Sequence, residues 1–253
     1  MSTSNLFFLL FNITFLFIAV EYVYSHFKKD GVYSFKGTIG NLLNGLILRI
    51  VSTVCISACI VYFINIHTQL SYNFKPSILL FIVCLTLVDL MYYIFHITHH
   101  SVSQLWILHS VHHGDDKFNL STAYRISWVE QIYIMFFFLP VVLVGFHPIV
   151  VLICYNILSL YQFLCHSQYI KFPKFMNYIF ITPTLHKVHH DQETKHHNSN
   201  FGGIFNVWDR MFGTYVSHLE TFTPGIKGYK QDNFIKMETD PVVGYLRSFN
   251  KNK

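Results

Sequence analysis

The chain has 253 residues, of which 52% are hydrophobic and only 12% are charged. A soluble domain of this length usually carries about twice that charged fraction, so the composition indicates an integral membrane protein. The formal net charge of +5 is small and spread along the loops, which leaves no basic patch for a nucleic acid.

Three apolar runs are predicted to cross the membrane as helices: 6–24, 42–66 and 78–95. The first run lacks the basic start and the small-residue cleavage site of a signal peptide, so we expect it to be retained. A fourth apolar region, 132–165, is divided by the sequence GFHP into pieces of about 13 and 17 residues, because glycine with proline marks a turn. We expect a short helical hairpin whose two ends return to the same membrane face.

The distribution of basic residues predicts the orientation. The loop after the first run holds three lysines, whereas the loop after the second holds only Lys75. Because basic loops stay in the cytoplasm, we expect 96–131 and the polar stretch after Cys165 on the cytoplasmic face of a bacterial inner membrane or an endoplasmic reticulum. The predicted fold is an all-α integral membrane protein, in which three transmembrane helices and the hairpin carry a cytoplasmic histidine-rich helical cap. No linker or internal repeat is visible, so 1–253 is expected to be a single domain.

Most of the sixteen histidines fall on the predicted cytoplasmic side. The sequence HITHH places His96 and His100 on one helix face, and the triplets of HSVHH and HKVHH share a face in the same way. His166 follows the hairpin directly, whereas His67 and His147 are expected across the membrane and are excluded. The candidate metal ligands are therefore His96, His100, His109, His112, His113, His166, His186, His189 and His190.

Nine imidazoles exceed the four ligands of a tetrahedral zinc ion and suit two metal ions. Imidazole binds iron, zinc, copper and nickel, so the ligand type alone does not name the metal. The pattern lacks the carboxylate motifs of soluble di-iron bundles. A metal pair at the cytoplasmic membrane surface can meet lipid from one side and oxygen from the other, and iron is the common metal for inserting oxygen into unactivated C–H bonds. No catalytic residue is predicted beyond the metal ligands.

Six further residues have more than one interpretation. Three histidines are ambiguous as ligands because only proximity suggests the role: His99, His196 and His197. Asp89 lies about two helical turns before His96 and could orient a ligand, with a structural role as the alternative. Asn200 and Asp209 could hold imidazole N–H groups, with capping and turn roles as the alternative.

The stretch DLMYYIFHITHHSVSQLWILHSVHH resembles the fatty acid hydroxylase/sterol desaturase superfamily, whose members are membrane di-iron oxygenases. The segments HSQ, TPTLHKVHH and NSNFGGIFNVWDRMFGTY continue the resemblance, which covers 89–215. It implies that the nine candidate ligands bind two iron ions. The segment NLSTAYRISWVEQ is similar to alkylglycerol monooxygenases and to related bacterial sterol desaturase-like proteins. The former use tetrahydrobiopterin, so a reduced pterin is one electron donor that the resemblance implies.

The sequence departs from the family pattern at three positions. Ile97 replaces the arginine that usually follows the first histidine, and Ser127 stands where many members have a histidine. Asn198 stands where an aspartate is frequent, which would weaken a contact to a ligand. The nine candidate ligands remain intact.

These features together predict a membrane di-iron oxygenase that hydroxylates, desaturates or oxidatively cleaves a lipid with O2. The lipid would be a fatty acyl, alkyl ether or sterol compound, and electrons would come from a separate donor protein or a reduced pterin. Zinc can replace iron in overexpressed samples, because imidazole sites accept both. The alternatives are a metal-binding membrane transporter and a non-catalytic lipid-binding relative. A transporter would need ligands along a path inside the spans, where Asp89 and Arg49 stand without a histidine ladder.

Overall fold

The computed structural model describes residues 3–70, 74–217, 219, 221–230 and 232–251. The helices are α1 (Thr3–Lys28), α2 (Phe35–Leu70), α3 (Ile78–Ser101), α4 (Ser103–His113), α5 (Trp128–Tyr133), α6 (Leu139–Leu143), α7 (Pro148–Cys165), α8 (Pro183–His189), α9 (Thr194–His197), α10 (Val207–Phe212) and α11 (Phe234–Lys251). The 3-10 helices are Leu120–Tyr124, Ile134–Phe138 and Lys174–Tyr178. Over the described residues, β structure is limited to two isolated bridges. The prediction of an all-helical chain is confirmed.

Three helices within the described ranges are long and apolar enough to cross a membrane, judged by length and composition: α2 with 36 residues, α3 with 24 and α7 with 18. The first two contain the predicted runs 42–66 and 78–95. The predicted run 6–24 forms part of α1, but its side chains before residue 12 lie outside the described part of the chain.

α2 extends beyond its predicted run at both ends. At about 1.5 Å per residue it is longer than the roughly 30 Å hydrocarbon core of a bilayer. Asn41 in its first turns donates a hydrogen bond to the Asp115 carboxylate at 2.7 Å. A Cβ atom at Gly45 would lie 2.5 Å from the Tyr124 ring, so only glycine permits this close approach. The first turns of α2 therefore pack against the histidine-bearing part of the chain.

The predicted hairpin has two unequal arms. The first arm, 128–143, is not one helix but a succession of α5, a 3-10 helix and α6. Pro140 lies at the start of α6, where its ring prevents a continuous hydrogen-bond ladder. The turn uses Gly145 at φ 117°, and the His147 side chain accepts a hydrogen bond from the N–H of Ile149. The second arm is α7, whose 18 residues agree with the predicted piece of about 17 and reach the length of a membrane span.

The main hydrophobic core lies between α2, α3, the broken first arm and α7. Its fully buried side chains include Phe63, Val88, Phe138 and Leu158. Burying one such side chain contributes roughly 1.5–3 kcal/mol. On the outside, α2 and α3 expose long rows of apolar residues. Contact with water is unfavourable for such a surface, whereas contact with lipid is favourable. This distribution of apolar residues is that of helices made to lie in a bilayer.

Residues 199–206, here called the docking loop, are fixed to the long helices by buried polar contacts. Asp89 of α3 accepts hydrogen bonds from two N–H groups of the loop and from the indole of Trp208. Gln162 of α7 donates to two carbonyl oxygens of the loop. A Cβ atom at Gly203 would lie 2.6 Å from the Asp89 carboxylate, so the loop backbone approaches α3 as closely as glycine allows.

Replacing Asp89 by alanine is expected to lower the free energy of unfolding by about 3 kcal/mol or more. Three donors, one buried and two partly buried, lose their acceptor, and a buried donor without a partner costs roughly 1–3 kcal/mol. Thermal unfolding of the purified protein in detergent measures the loss. Thr86→Ala is the control, since Thr86 bonds only to a carbonyl of its own helix. Equal melting temperatures for the two variants would contradict the role given to Asp89.

Candidate metal centre

Five of the candidate ligands lie on α3 and α4, which are separated by the single residue Val102. Its backbone is extended, with φ −101° and ψ 114°, and it caps the end of α3 and the start of α4. The helical path is interrupted there, and the two helices pack against each other. As a result the rings of His100 and His113 approach to a centroid distance of 4.8 Å.

The remaining four ligands come from the ends of α7 and α8. His166 is the C-terminal cap residue of α7. Thr182 is the N-terminal cap residue of α8, and its side chain accepts a hydrogen bond from the N–H of Leu185. This short helix presents His186 and His189, and His190 is its C-terminal cap residue.

The nine histidines form two groups, in each of which the potential ligand atoms lie within 4.8 Å of one another. The first cluster consists of His96, His100, His109, His113 and His189. The second cluster consists of His112, His166, His186 and His190. The clusters adjoin, because the rings of His113 and His190 stack at a centroid distance of 4.4 Å.

Each histidine triplet is divided between the two clusters. His112 and His113 are neighbours in sequence but belong to different clusters, and so are His189 and His190. Adjacent residues on a helix point about 100° apart, so a helix that lies between two sites serves both of them. The paired triplets therefore place α4 and α8 along the boundary between the clusters.

Backbone carbonyl oxygens orient four of the imidazoles. His96 donates its Nδ1–H to the carbonyl of Phe201 at 2.9 Å, and His189 donates to that of Ser199 at 2.8 Å. His112 donates in the same way to the carbonyl of Arg125, and His166 donates to the carbonyl of Gln162 in α7. A ring that carries its proton on Nδ1 has its lone pair on Nε2, which faces the cluster. Metal-binding histidines are held by this kind of contact.

The second cluster brings two such lone pairs together. The Nε2 atoms of His112 and His166 are 3.2 Å apart, and both rings use their Nδ1–H elsewhere. Two lone pairs at this distance repel each other unless a cation lies between them. Two nitrogen ligands about 2.1 Å from one metal ion stand roughly 3 Å apart. The geometry therefore fits a shared metal ion.

The first cluster fits a metal ion as well. The Nε2 atoms of His96, His109 and His189 are buried and have no hydrogen-bond partner among the described residues. A buried polar atom without a partner costs roughly 1–3 kcal/mol. Several such atoms that converge on one point are explained by a bound cation, and neutral nitrogen donors suit a transition metal.

Burial determines the protonation state of the imidazoles. Desolvation, followed by repulsion from neighbouring imidazoles, lowers the pKa of His112 to about 3, well below the ordinary value of about 6.5. The pKa values of other histidines outside the spans are also lowered well below that value, with desolvation as the largest cause: His109, His113, His166, His186, His189 and His190. These imidazoles are neutral at neutral pH, which is the form that binds a metal.

Glu130 is a functional candidate that the sequence reasoning missed. It lies on α5, is buried, and accepts a hydrogen bond from the Nδ1–H of His109 at 3.2 Å. This contact leaves the Nε2 atom of His109 directed to the first cluster. A signal existed in the sequence, since an acid within the apolar segment WVEQIY is as costly as Asp89 in its own helix.

The three ambiguous histidines lie outside both clusters. His99 is fully engaged, because Nδ1 donates to the Phe95 carbonyl and Nε2 accepts from the Tyr133 hydroxyl, both at 2.7 Å. His196 donates to the Asp191 carboxylate at 2.8 Å. The remaining one, His197, is half-buried at the rim, with its ring 6.1 Å from that of His113.

The excluded histidines also lie outside both clusters. His67 and His147 form a ring contact at 5.2 Å, beside the turn between α6 and α7. Nε2 of His67 lies 3.2 Å from the carbonyl oxygen of Gly145.

Asp89, Asn200 and Asp209 contact backbone groups and not imidazoles. Asp209 accepts hydrogen bonds from the N–H groups of residues 201 and 202, and Asn200 donates to the carbonyl of Leu185. The docking loop that they hold supplies the carbonyl oxygens that orient His96 and His189. The three residues are therefore connected to the clusters through backbone groups and not by direct contact with the imidazoles. Two of the departures from the family pattern lie elsewhere: Ser127 donates to the Glu238 carboxylate, and Asn198 is exposed.

Two adjoining histidine clusters lie at the ends of helices that are long enough to span a membrane. The fold and the site are therefore those of a helical protein with a candidate dimetal centre. The chain matches the fatty acid hydroxylase family over residues 81–214, which is more than half of its length, and it belongs to that family. The matched segment contains all nine cluster histidines.

Curated relatives carry enzyme names. The chain is 34% identical over 139 residues to the alkylglycerol monooxygenase of Xenopus tropicalis, a match that covers 55% of this chain and 31% of the relative. It is 36% identical to the alkylglycerol monooxygenase of Danio rerio over the same shares. It is 32% identical to human cholesterol 25-hydroxylase, covering 52% of this chain and 49% of the relative. The chain thus spans half or less of the length of these proteins. No solved structure gives a significant match.

Glu130→Ala is expected to weaken metal binding at the first cluster by about 10–100-fold, because His109 loses the contact that directs its ring. Glu130→Gln keeps an acceptor oxygen and should lose less. Titration of the metal-free protein with Fe²⁺ or Zn²⁺ measures the affinity. Gln131→Ala is the matched control, since Gln131 is buried next to Glu130 and bonds to Ser52 instead. An unchanged affinity in Glu130→Ala would show that the carboxylate does not position His109.

Proposed function

We propose that each cluster holds one metal ion and that the metal in the cell is iron. The nine imidazoles are the proposed ligands, five for one ion and four for the other. Support comes from the buried, partnerless nitrogens of the first cluster and from the opposed lone pairs of the second. Membership of the fatty acid hydroxylase family favours iron over zinc.

We further propose that the chain is a lipid oxygenase that inserts one oxygen atom of O2 into a C–H bond. The observation that carries this proposal is the position of the clusters: α3 has the length and composition of a membrane span, and its last turns hold His96 and His100. A lipid that enters from the bilayer meets the metal pair at the end of the same helix. The matched relatives are named as a monooxygenase and a hydroxylase of lipids.

The alkyl ether of a glycerolipid is the substrate class that we favour, because alkylglycerol monooxygenases are 34% and 36% identical to this chain. A sterol is the second class to be tested. Oxygen insertion next to an ether oxygen gives a hemiacetal, which collapses to an aldehyde and an alcohol. Such cleavage distinguishes an ether substrate from a sterol.

A bound iron pair would supply the activation of O2 that an unactivated C–H bond requires. One oxygen atom enters the lipid, and the other leaves as water with two protons and two electrons from a separate donor protein or a reduced pterin. The residues of the chain hold the metals through neutral imidazoles, orient those imidazoles through backbone carbonyls and Glu130, and exclude water by burial. Excluding water protects a reactive centre from side reactions.

The proposed placement in the membrane follows from the same helices. α1, α2 and α3 cross the bilayer, and the hairpin 128–165, whose second arm is α7, enters it and returns to the same face, so that both clusters lie on the cytoplasmic face. The chain acts as a single unit, since both clusters draw ligands from segments that are far apart in sequence.

Oxygen incorporation tests the proposed reaction. The protein is reconstituted with Fe²⁺ in lipid nanodiscs and supplied with a reduced pterin or a reductase, isotopically labelled O2, and an alkylglycerol or a sterol. Mass spectrometry should show one labelled oxygen atom in the product. His112→Ala should make no product, whereas His147→Ala, which alters a histidine outside both clusters, should retain activity. A protein that binds two metals but yields no O2-dependent product with either donor would be a non-catalytic relative or a transporter.

Labelling with an impermeant thiol reagent tests the sidedness. In a variant whose native cysteines are replaced, Lys174→Cys lies between α7 and α8 and Thr68→Cys lies near the end of α2, and both positions are exposed. Lys174→Cys should react only from the cytoplasmic side and Thr68→Cys only from the opposite side. Reaction of both from one face would mean that a span has been miscounted.

A further inference from the structure

The C-terminal helix α11 has three distinct faces. Met237, Pro241 and Tyr245, spaced four residues apart, are buried or half-buried against the rest of the chain. At about 100° per residue, the next sector holds Ile235, Val242 and Leu246. These three apolar side chains are 53%, 39% and 58% exposed.

The third face of α11 carries charged residues beside the exposed Val243. Lys236 and Asp240 are exposed and fall on the side of the helix away from both the buried and the apolar sectors. A helix on a soluble protein needs only two faces, one packed and one polar. An exposed apolar sector between them is typical of a helix at a membrane surface, where one flank meets acyl chains and the other meets water.

The neighbours of α11 have exposed apolar residues of their own. The segment before α11 touches α2 closely, because a Cβ atom at Gly40 would lie 2.4 Å from the carbonyl oxygen of Asp232. Phe35 and Ile39 in the same turns of α2 are exposed.

On its other side α11 contacts the start of α5. Glu238 accepts hydrogen bonds from the hydroxyl of Ser127 and from the N–H of Trp128. Val129 and Ile132 of α5 are exposed. The apolar flank of α11 thus lies next to the face that contacts α5, whose outward residues are also apolar.

We propose that α11 lies in the plane of the membrane surface, with Ile235, Val242 and Leu246 in contact with the acyl chains of the bilayer. The inference rests on the membrane placement proposed above for α2. Held in this way, α11 covers α4, which carries three of the cluster histidines, because the two helices pack against each other. The partner is the lipid bilayer and not a second protein.

Spin labels measure this placement directly. Single cysteines at Val242, Leu246 and Lys236 are labelled in protein whose native cysteines are replaced, and the protein is placed in nanodiscs. Dissolved oxygen collects in lipid, and a nickel chelate stays in water. The ratio of oxygen to nickel accessibility should be several-fold higher at Val242 and Leu246 than at Lys236. A label at Leu46, on the exposed side of α2, is the control for the membrane placement.

The outcomes are distinct. If the Leu46 label is in lipid but the Val242 and Leu246 labels meet the nickel chelate as readily as Lys236 does, the inference about α11 is wrong. If the Leu46 label is also accessible to the nickel chelate, both the membrane placement of α2 and the inference about α11 are wrong. Protection of Val242 and Leu246 from both probes, with dipolar coupling between labels of two chains, would assign the apolar flank to a second copy and would likewise overturn the inference.

Discussion

The structure depends on the convergence of nine imidazoles, of which eight are buried and His100 is half-buried. In water each ring nitrogen would be solvated, whereas here the Nε2 lone pairs of His112 and His166 face each other across 3.2 Å. Hydrophobic packing alone would separate these rings. Metal ions bound as proposed would compensate for the lost solvation, and metal binding would then be coupled to the fold around the clusters.

The surrounding polar contacts serve this convergence. Asp89 and Gln162 fix the docking loop to two of the membrane-length helices, and the loop in turn presents the carbonyl oxygens that orient His96 and His189. A single loop thereby connects the long helices to the first cluster. Arg125 plays a comparable part beside the second cluster, since its carbonyl accepts from His112 and its guanidinium donates to the carbonyl of Val111 in α4.

Helical spacing in the sequence selected eight of the nine histidines that the structure brings together, because residues at i, i+3 and i+4 share a face whatever the tertiary structure, and the position of His166 directly after the hairpin selected the ninth. The division of His112 from His113, and of His189 from His190, could not be predicted. It depends on α4 and α8 lying between two sites, which is a property of tertiary packing. Glu130 was missed for a similar reason: its partner His109 is on another helix.

The ends of α2 and the break in the first arm of the hairpin were not predicted from the sequence. α7 has 18 residues, close to the predicted 17, because the sequence after Pro148 contains neither glycine nor a further proline to end the helix before Cys165. α2 continued through Asn41 because this polar residue has a buried partner in Asp115, a contact 74 residues away in sequence that no local pattern contains. Hydropathy locates the apolar centre of a span, whereas its ends are set by tertiary partners.

X-ray absorption at the metal edge, on purified protein of known concentration and metal content, tests the central claim most directly. The account predicts two metal ions per chain, coordinated mainly by nitrogen at about 2.0–2.2 Å, with the outer scattering of imidazole rings. A single ion per chain, or coordination by sulfur, would contradict it, because one ion cannot satisfy two clusters and the described cysteines lie outside both of them.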